Sequence, residues 1–145
     1  MADYYNPFLI VGACLSAIAA LLHIGIVIGG AGWYRFFGAG ERFASAVAAG
    51  LWWPHVITLC IASGLGVFAA YALSGAGVIA PLPFLKTILV AITSVYLARG
   101  LALFPALLFA RNRVTPFIVW SSLICVGYGA CHLIGLIQVW PWLRF

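Results

Sequence analysis

Four long apolar runs dominate the chain, separated by short links in which Gly, Pro and aromatic residues gather. Each run exceeds the ~20 apolar residues that a helix needs to cross the hydrocarbon layer of a bilayer. The pattern predicts one all-α domain over 1–145, a polytopic membrane protein built as a four transmembrane helix bundle. Its spans are expected at about 8–30, 51–73, 86–110 and 115–139.

The boundaries carry their own signals. Tyr4 and Tyr5 suit a membrane interface, and Asn6 followed by Pro7 can cap and start a helix. In span 1, Gly12, Ser16 and Ala20 recur every fourth residue, a small-residue stripe that lets another backbone approach closely, and His23 continues it. The link Gly30–Phe43 is basic, aromatic and glycine-rich. Trp33, Tyr34, Phe36 and Phe37 are expected to anchor it at headgroup level beside Arg35 and Arg42. Glu41 should pair with a nearby arginine or open the next helix, where a carboxylate meets the positive end of the dipole. Residues 44–50 form either an interfacial turn or the first part of span 2, and Pro54 bends that span or marks its start. Further on, the Gly- and Pro-punctuated connector Ser74–Leu85 precedes span 3. Thr115 and Pro116 read as N-cap and first turn of span 4, which Trp140-Pro141-Trp142 closes.

Composition agrees with a lipid solvent. Of 145 residues, 66% are hydrophobic and 6% charged, against about 25% charged in soluble domains. The net charge of +5 comes from seven Lys/Arg against two acids, Asp3 and Glu41. The basic residues stand singly or in short links at the ends of apolar runs. That pattern marks topology and argues against nucleic-acid binding. Links 1 and 3 hold Arg35, Arg42, Arg111 and Arg113, whereas the opposite side holds Lys86 and Arg144. The positive-inside rule therefore predicts both termini outside the cytoplasm, with a bacterial inner membrane as the expected location. The four cysteines form neither a CxxC nor a zinc spacing and read as small buried hydrophobes.

Counting depth along each span predicts two polar layers. His23, His55, Thr58, Ser121 and Ser122 fall in the inner half, and Thr93, Tyr96, Tyr128 and His132 in the outer half. In span 4, Ser121, Cys125, Tyr128 and His132 step by 4, 3 and 4, which sets them on one face. Such a face should turn inward, either to hydrogen-bond neighbouring helices or to line a ligand site. Arg99 is expected between the layers, level with Cys125 and Tyr128. Placing Arg at a helix centre costs at least ~2.5–3.5 kcal/mol. No acid lies in any span to neutralise it, so its partners must be hydroxyls, carbonyls, water or an anionic ligand. Pro105 cannot donate to the carbonyl of Leu101, which leaves an acceptor about half a turn away.

His23 and His55, at similar expected depth, could hold a metal or bind haem axially between two spans. Ser121 and Ser122 lack an acid to orient a histidine base, and one Glu leaves no paired carboxylates, so a hydrolase does not fit.

The segments GWYRFFGAGERFA, YALSGAGVI with LPFLK, YLARGL, and SSLIC with the following His and Gly resemble a group of small, uncharacterised bacterial four-helix membrane proteins. The architecture is also broadly similar to DoxX-like proteins. The resemblance implies the fold and no activity. The residues themselves point first to a non-enzymatic protein that binds a lipid-like or anionic ligand, membrane lipid included, or a partner subunit. The binding set would be Arg99, Tyr96, Tyr128, His132, Ser121 and Cys125. A redox component carrying haem or quinone through His23 and His55 is the second reading, and a pore or transporter formed by homo-oligomers is the third.

Overall fold

The structure is a computed structural model that describes residues 5–143. Tyr4, Asp3 and Arg144, to which the sequence assigns interface or topology roles, lie outside the described residues. The fold is all-α, with no strand among the described residues. Four stretches are long and apolar enough to cross a membrane: Pro7–Phe36, Trp53–Gly75, Leu85–Phe109 and Pro116–Trp142. This fits the four-helix bundle class and makes the chain a multi-pass membrane protein. Large apolar side chains such as Leu21, Ile28, Trp120 and Ile137 cover its outer surface, as contact with lipid requires.

In order, α1 is Pro7–Phe36, α2 Glu41–Ala48, α3 Trp53–Gly75, α4 Leu85–Leu101, α5 Leu103–Phe109 and α6 Pro116–Val139. Span 1 was expected to end at residue 30, and Gly30 does break α1, at φ 65° and ψ −156°. The positive φ suits glycine alone. Helical geometry then resumes to Phe36 and α2 opens at Glu41, so most of the expected link is helix. The Trp33 indole folds back along α1, where a side chain on Gly29 would collide with it. Glu41 begins α2, a short amphipathic helix that ends at Ala48, so 44–48 is a separate helix, neither a turn nor the first part of span 2.

Pro54 sits in the first turn of α3, where its missing N–H costs nothing. The third span is not continuous. α4 ends at Leu101 and α5 begins at Leu103, because Pro105 withholds the hydrogen bond that the Leu101 carbonyl needs. Thr115 caps α6, its hydroxyl accepting the Ile118 N–H at 3.3 Å, with Pro116 next.

The chain divides into two compact units, Met1–Ser16 with Phe68–Phe145, and Ala17–Val67. In the first, α4 and α6 form the most extensive helix pair. Glycines set their separation. A Cβ on Gly129 would lie 2.6 Å from Leu97 Cδ2, and one on Gly100 would lie 2.6 Å from Val126 Cγ2. An apolar cluster of Leu9, Ala76, Leu89, Leu136 and Val139 fills one end. Asn6 pins that end: its Oδ1 accepts from Leu9 N at 2.9 Å, its Nδ2 donates to Gln138 at 2.8 Å, and its own N–H donates to the Ala76 carbonyl. The second unit has a smaller core of Ile26, Tyr34 and Ala44.

Candidate functional site

In the first unit the polar side chains meet where α1, α4 and α6 pack. Ser16 donates its single O–H to the Gly12 carbonyl at 2.9 Å. The 2.8 Å contact between Ser16 and Tyr96 must then be donated by the tyrosine. The ring of Tyr96 lies 5.1 Å from His132, 5.4 Å from Tyr128 and 5.7 Å from Phe68, centroid to centroid. His132 is fully buried. Its Nδ1 faces the Tyr128 carbonyl at 2.9 Å. A carbonyl only accepts, so Nδ1 carries the proton of the neutral ring and Nε2 is a bare acceptor. Nε2 is buried with no partner among the described residues. The ring closes over Gly12, where a Cβ would come within 2.7 Å of Cε1. Gly12, the first residue of the small-residue stripe of span 1, thus makes room for the imidazole.

Arg99 leaves α4 on its exposed side. Nη1 donates to Ser122 Oγ at 2.9 Å and Nη2 to Ser121 Oγ at 3.0 Å. Ser121 passes its own proton to the Ile118 carbonyl at 3.2 Å. Both acceptors are neutral. Nε–H, and one further N–H on each Nη, have no partner among the described residues.

The second unit repeats part of this chemistry. Tyr34 donates to Thr58 at 2.9 Å, and Thr58 donates to the Pro54 carbonyl at 2.8 Å. His55 Nδ1 lies 3.4 Å from the Tyr34 hydroxyl. Arg35, by contrast, meets a carboxylate. Its Nε lies 3.1 Å from one Glu41 oxygen, and its Nη2 lies 2.9 Å from the other. Ser45 adds a third donor at 3.0 Å. Arg35 first, and Ser45 second, hold the Glu41 carboxyl below its ordinary range. Arg42 lies 5.8 Å from the Trp53 ring.

Several sequence expectations are corrected. Tyr34 is not a headgroup anchor: it is 1% exposed and belongs to the unit core, because its hydroxyl has a protein partner in Thr58. Trp33 and Phe36 are exposed, and with Phe37 they line a shallow apolar recess of about 380 Å³. Arg99 keeps its expected depth, since Leu97 packs on Gly129 and Gly100 on Val126, but it lies outside the packed face and its guanidinium reaches about a turn further, to Ser121 and Ser122. The span 4 stripe turns inward by degrees, with Ser121, Cys125 and Tyr128 half-buried and His132 fully so. Cys125 makes no hydrogen bond among the described residues.

The two histidines of the redox reading have different partners. His23 bonds the Ala19 carbonyl of its own helix at 2.7 Å, while His55 faces Tyr34. Among the described residues, no three His, Cys, Asp or Glu gather so that they could hold a metal.

Sequence reasoning missed Ser16 as the acceptor for Tyr96 and Gly12 as the seat of His132. The four-residue spacing of Gly12 and Ser16 was the available signal, and only its steric half was read. Comparison with protein-family models, with curated proteins and with solved structures finds no match. The class that fold and site define is therefore a multi-pass membrane protein with an arginine on the outer face of a span.

Proposed function

We propose that this protein binds the anionic head of a lipid-like molecule at Arg99, without catalysing a reaction on it. One observation carries this reading. A guanidinium is held on the exposed side of α4 by two neutral hydroxyls, while no acid lies in any span. A cation beside lipid needs an anion or water, and intramembrane charge is costly enough that it seldom stands without a role. Arg111 and Arg113 lie just before α6, on the same side, and favour anions there. Tyr96, Tyr128, His132 and Cys125 support the seam behind Arg99 rather than touching the ligand.

The same proposal puts the chain in a bacterial inner membrane, among the small four-helix proteins it resembles, with both termini outside the cytoplasm. Alkaline phosphatase fused to the C-terminus would then be active, and a green fluorescent protein fusion there dark. The binding reading is tested by native mass spectra of the protein released from mild detergent. Wild type should carry anionic adducts that Arg99→Met lacks. The same adducts on both proteins would refute it.

A further inference from the structure

Resting on that reading of Arg99, we infer that the ligand is a long-chain monocarboxylate, taken by the Nε edge of the guanidinium. The edge follows from counting donors. Ser122 and Ser121 engage Nη1 and Nη2, and Nε–H has no partner among the described residues. In a planar guanidinium, Nε–H and Nη2 share one side, and that fork matches the two oxygens of a carboxylate. The molecule uses the same fork elsewhere: Arg35 gives Nε and Nη2 to the Glu41 carboxylate. Two serines hold the Arg99 plane in advance, so less side-chain freedom is lost when an oxyanion docks.

Depth selects carboxylate over phospholipid phosphate. α6 has 24 residues, a length of about 36 Å, against a hydrocarbon layer of about 30 Å. Centring the helix leaves about 3 Å beyond the layer at each end. Ser121 and Ser122 come five and six residues after Pro116, about 8 Å along the axis. With α6 upright and centred, the guanidinium lies about 5 Å inside the hydrocarbon boundary. A phospholipid phosphate lies outside that boundary, and its glycerol would have to sink with it. A fatty-acid carboxylate sits directly on its chain and reaches this depth by sliding. Ala91, Val95 and Arg99 form an exposed row along α4 at four-residue spacing. Its small side chains give one tail a path from the charge towards the bilayer centre.

The full-length protein in phosphatidylcholine nanodiscs is titrated with palmitate, methyl palmitate and phosphatidylglycerol, and adducts are read by native mass spectrometry. Palmitate should bind wild type and fall about tenfold or more in Arg99→Met, the loss expected for a charge-assisted hydrogen bond. Arg99→Lys should recover part of it, because a point charge lacks the fork. Methyl palmitate should not bind, and phosphatidylglycerol should not distinguish the variants. Ser121→Ala and Ser122→Ala, which keep the charge but free the plane, should weaken palmitate and guard against a misfolded Met variant. If phosphatidylglycerol depends on Arg99 and palmitate does not, the carboxylate inference fails while anion binding at Arg99 stands. If neither depends on Arg99, both fail.

Discussion

The two units solve the same problem with the same polar device, then part ways over an arginine. In each, a buried tyrosine donates to a hydroxyl, and that hydroxyl donates to the carbonyl four residues before it. Tyr34, Thr58 and Pro54 form one relay, and Tyr96, Ser16 and Gly12 form the other. The hydroxyl serves as acceptor and donor at once, so neither tyrosine strands a polar group in an apolar setting. The arginines differ in what faces them. Arg35 has Glu41, six residues on, to neutralise its charge. Arg99 has two serines and no acid in any span. A charge that the chain itself neutralises is structure, whereas one left to neutral partners at a lipid face is open to a ligand.

The largest expected effect lies in the seam behind Arg99. Gly12→Val drives a side chain into the His132 ring and should destabilise the protein by about 1–3 kcal/mol. Thermal melting in detergent checks it. Gly66→Ala, at a glycine with open space around it, should change little. Equal losses would mean that the Gly12 contact is not special.

Val95→Glu would erase the difference between the arginines. It sets a carboxylate four residues before Arg99 on the exposed face, the favourable order for an acid and a base on a helix. The added acid should occupy the guanidinium and lower anionic adducts about tenfold in native mass spectra. Val95→Gln should leave them in place.

The tyrosine relays should be smaller and alike. Membrane interhelical hydrogen bonds average ~0.6 kcal/mol, so Tyr34→Phe and Tyr96→Phe should each lower the melting temperature modestly. A much larger loss for Tyr96 would mean that its stacking on His132 and Tyr128 depends on the hydroxyl.

Glu41→Gln should have the smallest effect, and pH gives it a signature. Arg35 and Ser45 hold the folded carboxyl below its ordinary value of 4.5. A depressed carboxyl contributes stability above that value and loses it as pH falls through the folded one. The difference between wild type and Glu41→Gln should therefore be present at neutral pH, fade below 4.5, and shrink in high salt. A gap that persists in acid would mean that Glu41 acts by packing.

Most of the fold was legible because lipid imposes it. Spans need length and apolarity, and Thr115-Pro116, Pro54 and Glu41 mark helix starts by local chemistry alone. The site was legible only in part. Residue types named Arg99, Tyr96, Tyr128 and His132, but their order around the seam depends on helix rotation and on how far each side chain reaches. The depth count set Arg99 between Cys125 and Tyr128, and only its side-chain conformation carries the guanidinium on to Ser121 and Ser122. Tyr34 was misread because an aromatic residue beside Arg35 has the composition of an interface anchor, and only its partner Thr58, 24 residues away, reveals it as core. The Gly30 break was read as a helix end because no local signal tells a kink from a stop.

Melting of wild type and Arg99→Met, stripped of lipid and then given back the lipid extracted from wild type, tests the central claim most directly. Arg99 is exposed and bonded to two neutral hydroxyls, and membrane interhelical hydrogen bonds average ~0.6 kcal/mol, so the stripped proteins should melt close together. Adding back the extract should raise wild type alone, since a ligand stabilises only the form that binds it. A variant that melts well below wild type when stripped, or that gains as much from the extract, would make Arg99 a structural residue and contradict a binding role.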